Sequence, residues 1–176
     1  MGTFEENLCK YLEIEKILNE FFRELNYCLI HCIQKEQKPD RRSPIIGCCK
    51  DKYYKNHDIE HPAFELLKKE REQRYGKPEN IEISGKTGLC EYHTREGCRL
   101  KSHKSPICLS FLCREAIDFL REQYQLFEYD YLGIYYALEW ILTGDMYGKA
   151  LDAFKADCLK MIDKVRIGSK SSCIPG

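Results

Sequence analysis

A mainly α-helical fold with an irregular middle is what this sequence predicts, and three observations carry that expectation. Apolar residues recur near a 3.6-residue period in both the first and the last thirds of the 176-residue chain. Cap and stop residues flank those periodic stretches. Between them, Gly and Pro interrupt any period, and six cysteines stand there: Cys48, Cys49, Cys90, Cys98, Cys108 and Cys113.

Residues 4–34 read as one long amphipathic helix. Leu8, Tyr11, Leu12, Ile14, Leu18, Phe21, Phe22, Leu25, Cys28, Leu29 and Cys32 recur on its apolar side. Cys28 and Cys32, one turn apart on that face, read as packing residues. Pro39, Pro44 and Gly47 mark turns in the stretch from Lys35 to Asn56, which holds Cys48 and Cys49. A second helix is expected from His61–Pro62, with Pro in an early helical position and Phe64, Leu66 and Leu67 inward. Gly76 and Pro78 stop it.

From Asn80 to Lys104 periodicity is weak, with a short extended piece expected at Ile81 and Ile83. Gly85-Lys86-Thr87-Gly88 lacks the preceding glycine of a phosphate loop, because Asn80 stands in its place. Ser105–Pro106 reads as a cap and first residue of a helix running to about Tyr124. Asp130 caps a further helix through Leu142, closed by Gly144. Asp145 is expected to open the last helix, through Val165, with a loose tail from Gly168. The whole reads as one domain, 1–176, in three parts: the N-terminal helix (4–34), the cysteine segment (43–114) and C-terminal helices (115–167).

Composition bounds what such a chain does. Basic and acidic side chains balance at 28 each, so no concentrated positive field signals nucleic acid. No apolar run approaches a membrane span. The first residues carry Glu5, Glu6 and Glu13 rather than a basic and apolar leader, so a cytoplasmic location is expected. Thiols stay reduced in that compartment. The cysteines number eleven, an odd count that no complete set of disulfides within one chain accommodates. Metal ligation is therefore the expected use of the central six, against the alternative of small buried hydrophobes.

The spacings are C-x7-C from Cys90 to Cys98, C-x9-C to Cys108 and C-x4-C to Cys113, with no C-x2-C knuckle. Cys108 falls in the first turn of the Ser105 helix, where free N–H groups and the helix dipole favour thiolate. His93, three residues after Cys90, is close enough to be a ligand or a supporting donor, and His103 is a weaker candidate. His57, His61 and His31 do not form a metal pair. Cys9, Cys158 and Cys173 read as core or tail residues.

The order Cys48-Cys49, then Cys90 near Tyr92-His93, Gly97-Cys98 and Pro106-Ile107-Cys108-Leu109-Ser110-Phe111-Leu112-Cys113 resembles the YkgJ-like cysteine-cluster family, zinc- or iron-chelating proteins. The resemblance covers about residues 43–114. Cys48 and Cys49 match the family's Cys-Cys, Cys90 and Cys98 its middle pair, and Cys108 and Phe111 its last stretch, with Cys113 following. The family's two cysteines just upstream of Cys-Cys are missing, and Lys104-Ser105-Pro106 replaces its Arg-Pro. A similar pattern is found in flagellin lysine-N-methylases, and that likeness implies an iron–sulfur cluster. A [4Fe–4S] cluster needs four thiolates, which the central six can supply. Three roles are then expected: electron transfer, redox sensing or support of modification chemistry on a protein partner. The alternatives are a structural zinc-binding interaction module and a protein-modifying enzyme related to the methylases.

Overall fold

The computed structural model describes residues 2–34, 52–55, 60–80, 90–94 and 96–171. Helix α1 (Phe4–Leu25) starts at Thr3, whose hydroxyl accepts the Glu6 N–H while the Glu6 carboxylate accepts the Thr3 N–H. It buries Leu8, Tyr11, Ile14, Leu18, Phe21 and Leu25 along one face.

The expected single helix over 4–34 is broken. Asn26 adopts a left-handed conformation at φ 49° and caps α1, and a π-helical turn (Cys28–Gln34) follows. Asn tolerates that conformation better than most residues, so the helix can change course there while the apolar period runs on. Cys28 is exposed, which corrects its reading as a packing residue. Cys9 is exposed as well, whereas Cys158 is core. The side chain of Cys32, together with Cys48, Cys49, His57, Ile81, Ile83 and Cys173, lies outside the described residues.

Helix α2 (Pro62–Tyr75) begins and ends where the sequence places it. His61 caps it by accepting the Ala63 N–H on Nδ1, Pro62 is its first residue, and Gly76 follows it at φ 86°. A two-stranded antiparallel hairpin, β1 (His93–Thr94) and β2 (Gly97–Cys98), pairs His93 with Cys98. The sequence reading had no strand at this place.

The helix expected from Ser105 to Tyr124 is two helices, α3 (Pro106–Ser110) and α4 (Arg114–Tyr124). Phe111 and Cys113 are extended between them. The buried Tyr129 hydroxyl donates to the Ser110 carbonyl at 2.6 Å and so takes an acceptor that a continuous helix would use. Leu112 enters the main core, while Phe111 turns to Tyr53 and Tyr131.

Helix α5 (Tyr131–Thr143) is capped by Asp130 and closed by Gly144 at φ 89°, as expected. Helix α6 (Gly148–Ser171) starts later than Asp145 and extends past Gly168, so the residues from Gly168 to Ser171 are helical rather than loose. Asp145 instead accepts the Thr143 hydroxyl at 2.6 Å. Among the described residues no helix is long and apolar enough to cross a membrane.

All six α-helices of the described residues contribute to one core, in which Leu18, Leu67, Leu109, Leu120, Leu138, Ile141 and Val165 are buried. Burial of each such side chain contributes about 1.5–3 kcal/mol. A second, smaller cluster of Tyr54, Cys90, Tyr92 and Leu100 lies apart from it, with Tyr75, Cys98 and Cys108 packed on its edge.

Candidate functional site

The cysteine-bearing middle has little regular structure of its own, and α1 and α2 position it. On α1, Tyr11, Glu15 and Asn19 stand four residues apart and face the segment 101–104. The Tyr11 hydroxyl donates to the Lys104 carbonyl at 2.7 Å, and Asn19 donates to the Lys101 carbonyl at 3.1 Å. Between them the Glu15 carboxylate accepts the N–H groups of His103 at 2.7 Å and Lys104 at 2.9 Å. From α2, the Tyr75 hydroxyl accepts the N–H groups of Lys101 and Ser102, and Arg71 donates to the His103 carbonyl.

This clamp delivers Ser105 to the start of α3. Its hydroxyl donates to the Tyr53 carbonyl at 2.8 Å and accepts the Cys108 N–H at 3.4 Å. Cys108 is therefore in the first turn of a capped helix, as the sequence predicts. The hairpin brings the other thiols. The His93 N–H donates to the Cys90 carbonyl at 3.0 Å, closing a turn, and Cys98 lies opposite His93 on β2.

Cys90, Cys98 and Cys108 thus come into one small cluster, all three as free thiols. They are near enough for the charge of one to affect the ionisation of the next. Burial, reinforced by the neighbouring Cys108 and Cys98, pushes the Cys90 thiol up to about 12. Burial likewise pushes Cys108 up to about 11, against the Ser105 hydroxyl that favours its thiolate. Both sulfurs are therefore held as neutral thiols.

Glu91 next to Cys90 is burdened by burial, yet bonds from Lys52 Nζ and the Tyr54 hydroxyl, both at 2.6 Å, hold its carboxyl below the usual range. It is committed to that pairing.

The three thiols line a cavity of about 730 Å³ whose wall also includes His93, Tyr53 and Cys113. Cys113 packs against the main core rather than the small cluster, and it is the N-cap residue of α4, with no side-chain cap bond. The two histidines differ. Both ring nitrogens of His103 are engaged, Nδ1 with Ser102 at 2.8 Å and Nε2 with Glu70 at 3.0 Å. His93 Nδ1 is buried and has no hydrogen-bond partner among the described residues. A polar atom in that condition costs about 1–3 kcal/mol. Burial also lowers the His93 imidazole below its ordinary value.

The donor set suits a thiophilic ion or cluster: soft sulfur, a neutral imidazole and no disulfide at these positions. Among the described residues, no group of three or more His, Cys, Asp or Glu side chains is arranged to hold a metal ion as it stands. Glu15 and Tyr75, which hold the site's backbone, escaped the sequence reading. The signal for Glu15 was its register: it falls between Tyr11 and Leu18 on the apolar face of α1. Compared with protein-family models, with curated proteins and with solved structures, the chain matches none.

Proposed function

We propose that this chain holds a thiolate-ligated metal centre, an iron–sulfur cluster, between the hairpin and the start of α3. The convergence of Cys90, Cys98 and Cys108 on one small cluster outside the main core carries this reading. Cysteines that served only as packing would be expected in the helical core, where Cys158 is. A [4Fe–4S] cluster takes four thiolates. The resemblance makes Cys48 or Cys49, which lie outside the described residues, the candidates for the fourth thiolate. Cys113, on the same wall, is the alternative source of the fourth sulfur.

The cluster would supply one-electron chemistry. The chain's own residues would hold it, keep it largely shielded and leave Cys98 half-exposed toward a protein partner. The role is then electron transfer, redox sensing or support of modification chemistry, in a cytoplasmic setting. The resemblance to the cysteine-cluster family points the same way. A second reading, structural zinc, is favoured by the Cys90-x2-His93 turn, because Cys3His is a common closed zinc set.

Anaerobic purification from iron- and zinc-replete cells, followed by metal analysis and a visible spectrum, separates the two. Several irons per chain with broad absorbance that bleaches on reduction support the cluster. Colourless protein with about one zinc per chain supports the second reading. Cys90→Ser, Cys98→Ser and Cys108→Ser should each lose bound metal, while Cys158→Ser should keep it at a cost in stability. Absence of both metals from the wild type sinks the proposal.

A further inference from the structure

We propose that the cavity binds an organic ligand, a single-chain amphipathic anion, with its acyl chain along α1 and its carboxylate received by Lys16, Lys101 and Lys104. The inference goes beyond the metal centre and does not rest on it, because none of the residues that carry it is a cysteine.

The shape of the cavity suits a chain. It follows one face of α1 from Leu12 to Leu25, about 20 Å of helix at roughly 1.5 Å per residue. Its volume of about 730 Å³ lies within the range of small-molecule sites, roughly 300–1,000 Å³. The wall is mostly apolar: Leu12, Phe22, Leu25 and Leu29 come from α1 and the π-helical turn, Ile107 and Phe111 from α3 and its end. Leu12, Phe22, Ile107 and Phe111 are only half-buried, so they keep apolar surface that a bound chain would remove from water.

Charge selects the head group. Lys16, Lys101 and Lys104 all line the cavity. Lys101 Nζ donates to the Cys98 carbonyl and Lys104 Nζ to the Asn19 side-chain oxygen, neutral acceptors rather than carboxylates. Lys16 is exposed and makes no ion pair among the described residues. Asn19 gathers the three: it lies three residues from Lys16 on α1, donates to the Lys101 carbonyl and accepts from Lys104. The carboxylates of the same wall are largely engaged. Glu15 accepts the His103 and Lys104 N–H groups, and Glu20 pairs with Arg23 and Arg166. Glu96, in the hairpin turn, is the remaining one. Three ammonium groups around one amide attract an anion, and the apolar wall beyond them favours one that carries an acyl chain over a compact ion.

Calorimetric titration of the reduced, metal-free full chain with dodecanoate tests the proposal, with dodecyltrimethylammonium as the cation of the same chain length. Dodecanoate should bind saturably and about tenfold tighter than the cation, because the same lysines attract one head and repel the other. Lys16→Gln should weaken dodecanoate about fivefold, the upper range for one exposed ion pair, and should not weaken the cation. Leu12→Trp should fill the cavity and abolish binding of dodecanoate, with circular dichroism confirming that each variant is folded. A second readout needs no variant. Dodecanoate should slow iodoacetamide alkylation of Cys28 and Cys98, which line the cavity, and leave the exposed Cys9, which does not, unchanged. Absence of saturable binding, equal affinity for the two head groups, unaltered binding in folded Leu12→Trp, or equal protection of Cys9 would each overturn the proposal. Metal content is read separately, so none of these results decides the thiolate centre.

Discussion

Glu15 is 1 % exposed, and each of its carboxylate oxygens accepts one backbone N–H from the segment that leads into α3. Burial pushes its carboxyl from 4.5 up to about 7, against those two hydrogen bonds and the nearby Lys104 and Arg71. The sign of the consequence follows from linkage. In the pH range between the two values the folded protein retains a proton that the unfolded chain has released. The contribution of Glu15 to stability is thus fully present below pH 4.5 and is lost as pH rises through about 7. At about 1.4 kcal/mol per unit, the decline amounts to roughly 3 kcal/mol. Glu15→Gln should flatten this part of the pH–stability curve measured by urea unfolding. It should also lower stability at acid pH by about 1–3 kcal/mol, since one of the two N–H groups loses its acceptor. An unchanged slope in the variant would mean that Glu15 titrates normally. The same residue shows how a charge on an apolar helix face differs from the solvated charges around it: Glu13 of the same helix pairs with Lys155 at the surface.

At the scale of elements, Ser105 joins three pieces of chain: the clamped segment, α3 and the short 3-10 turn Tyr53–Lys55. Ser105→Ala removes a helix cap worth about 0.5–2 kcal/mol and unties the Tyr53 carbonyl. It should weaken metal binding at the centre although it removes no ligand, and an equilibrium competition with a chelator would measure that loss. Unaltered affinity would show that α3 holds Cys108 in place without its cap. Helix starts of this kind were legible in the sequence because they are written locally. His61 with Pro62, Ser105 with Pro106 and Asp130 each satisfy a helix's first N–H groups, or relieve the chain of one, from within a few residues. The helix breaks were not legible. At Asn26 the apolar period continues unbroken through Leu29, and only the backbone's left-handed turn redirects it. At Phe111–Cys113 the break depends on Tyr129, a residue remote in sequence that takes the Ser110 carbonyl. The gathering of Cys90, Cys98 and Cys108 was expected from their residue type. Cys113 is set apart from them by the break between α3 and α4.

Over the whole molecule, the two clusters of buried residues predict different fates on metal loss. The main core draws on all six α-helices and contains no thiol of the proposed centre except Cys113, at its edge. Among the described residues the small cluster buries Tyr54, Cys90, Tyr92 and Leu100, and three of the seven residues in or against it are cysteines of the proposed centre. Metal bound there stabilises the native state by mass action, about 2.7 kcal/mol at a concentration 100 times the dissociation constant. That stabilisation acts first on the elements the ligands belong to. Chelation should therefore leave the helical circular dichroism nearly intact and raise hydrogen exchange in the hairpin. The increase should be graded along the chain. Residues 90–100 rely on a few side-chain ties, such as Glu91 to Tyr54 and the Tyr92 hydroxyl to the Gly76 carbonyl. Residues 101–104 are held by Tyr11, Glu15, Asn19 and Tyr75 whether or not metal is bound. Exchange there should change little. Cooperative loss of helix on chelation would instead mean that the centre and the helical body fold as one unit, and that the second cluster is part of the main core in all but contact.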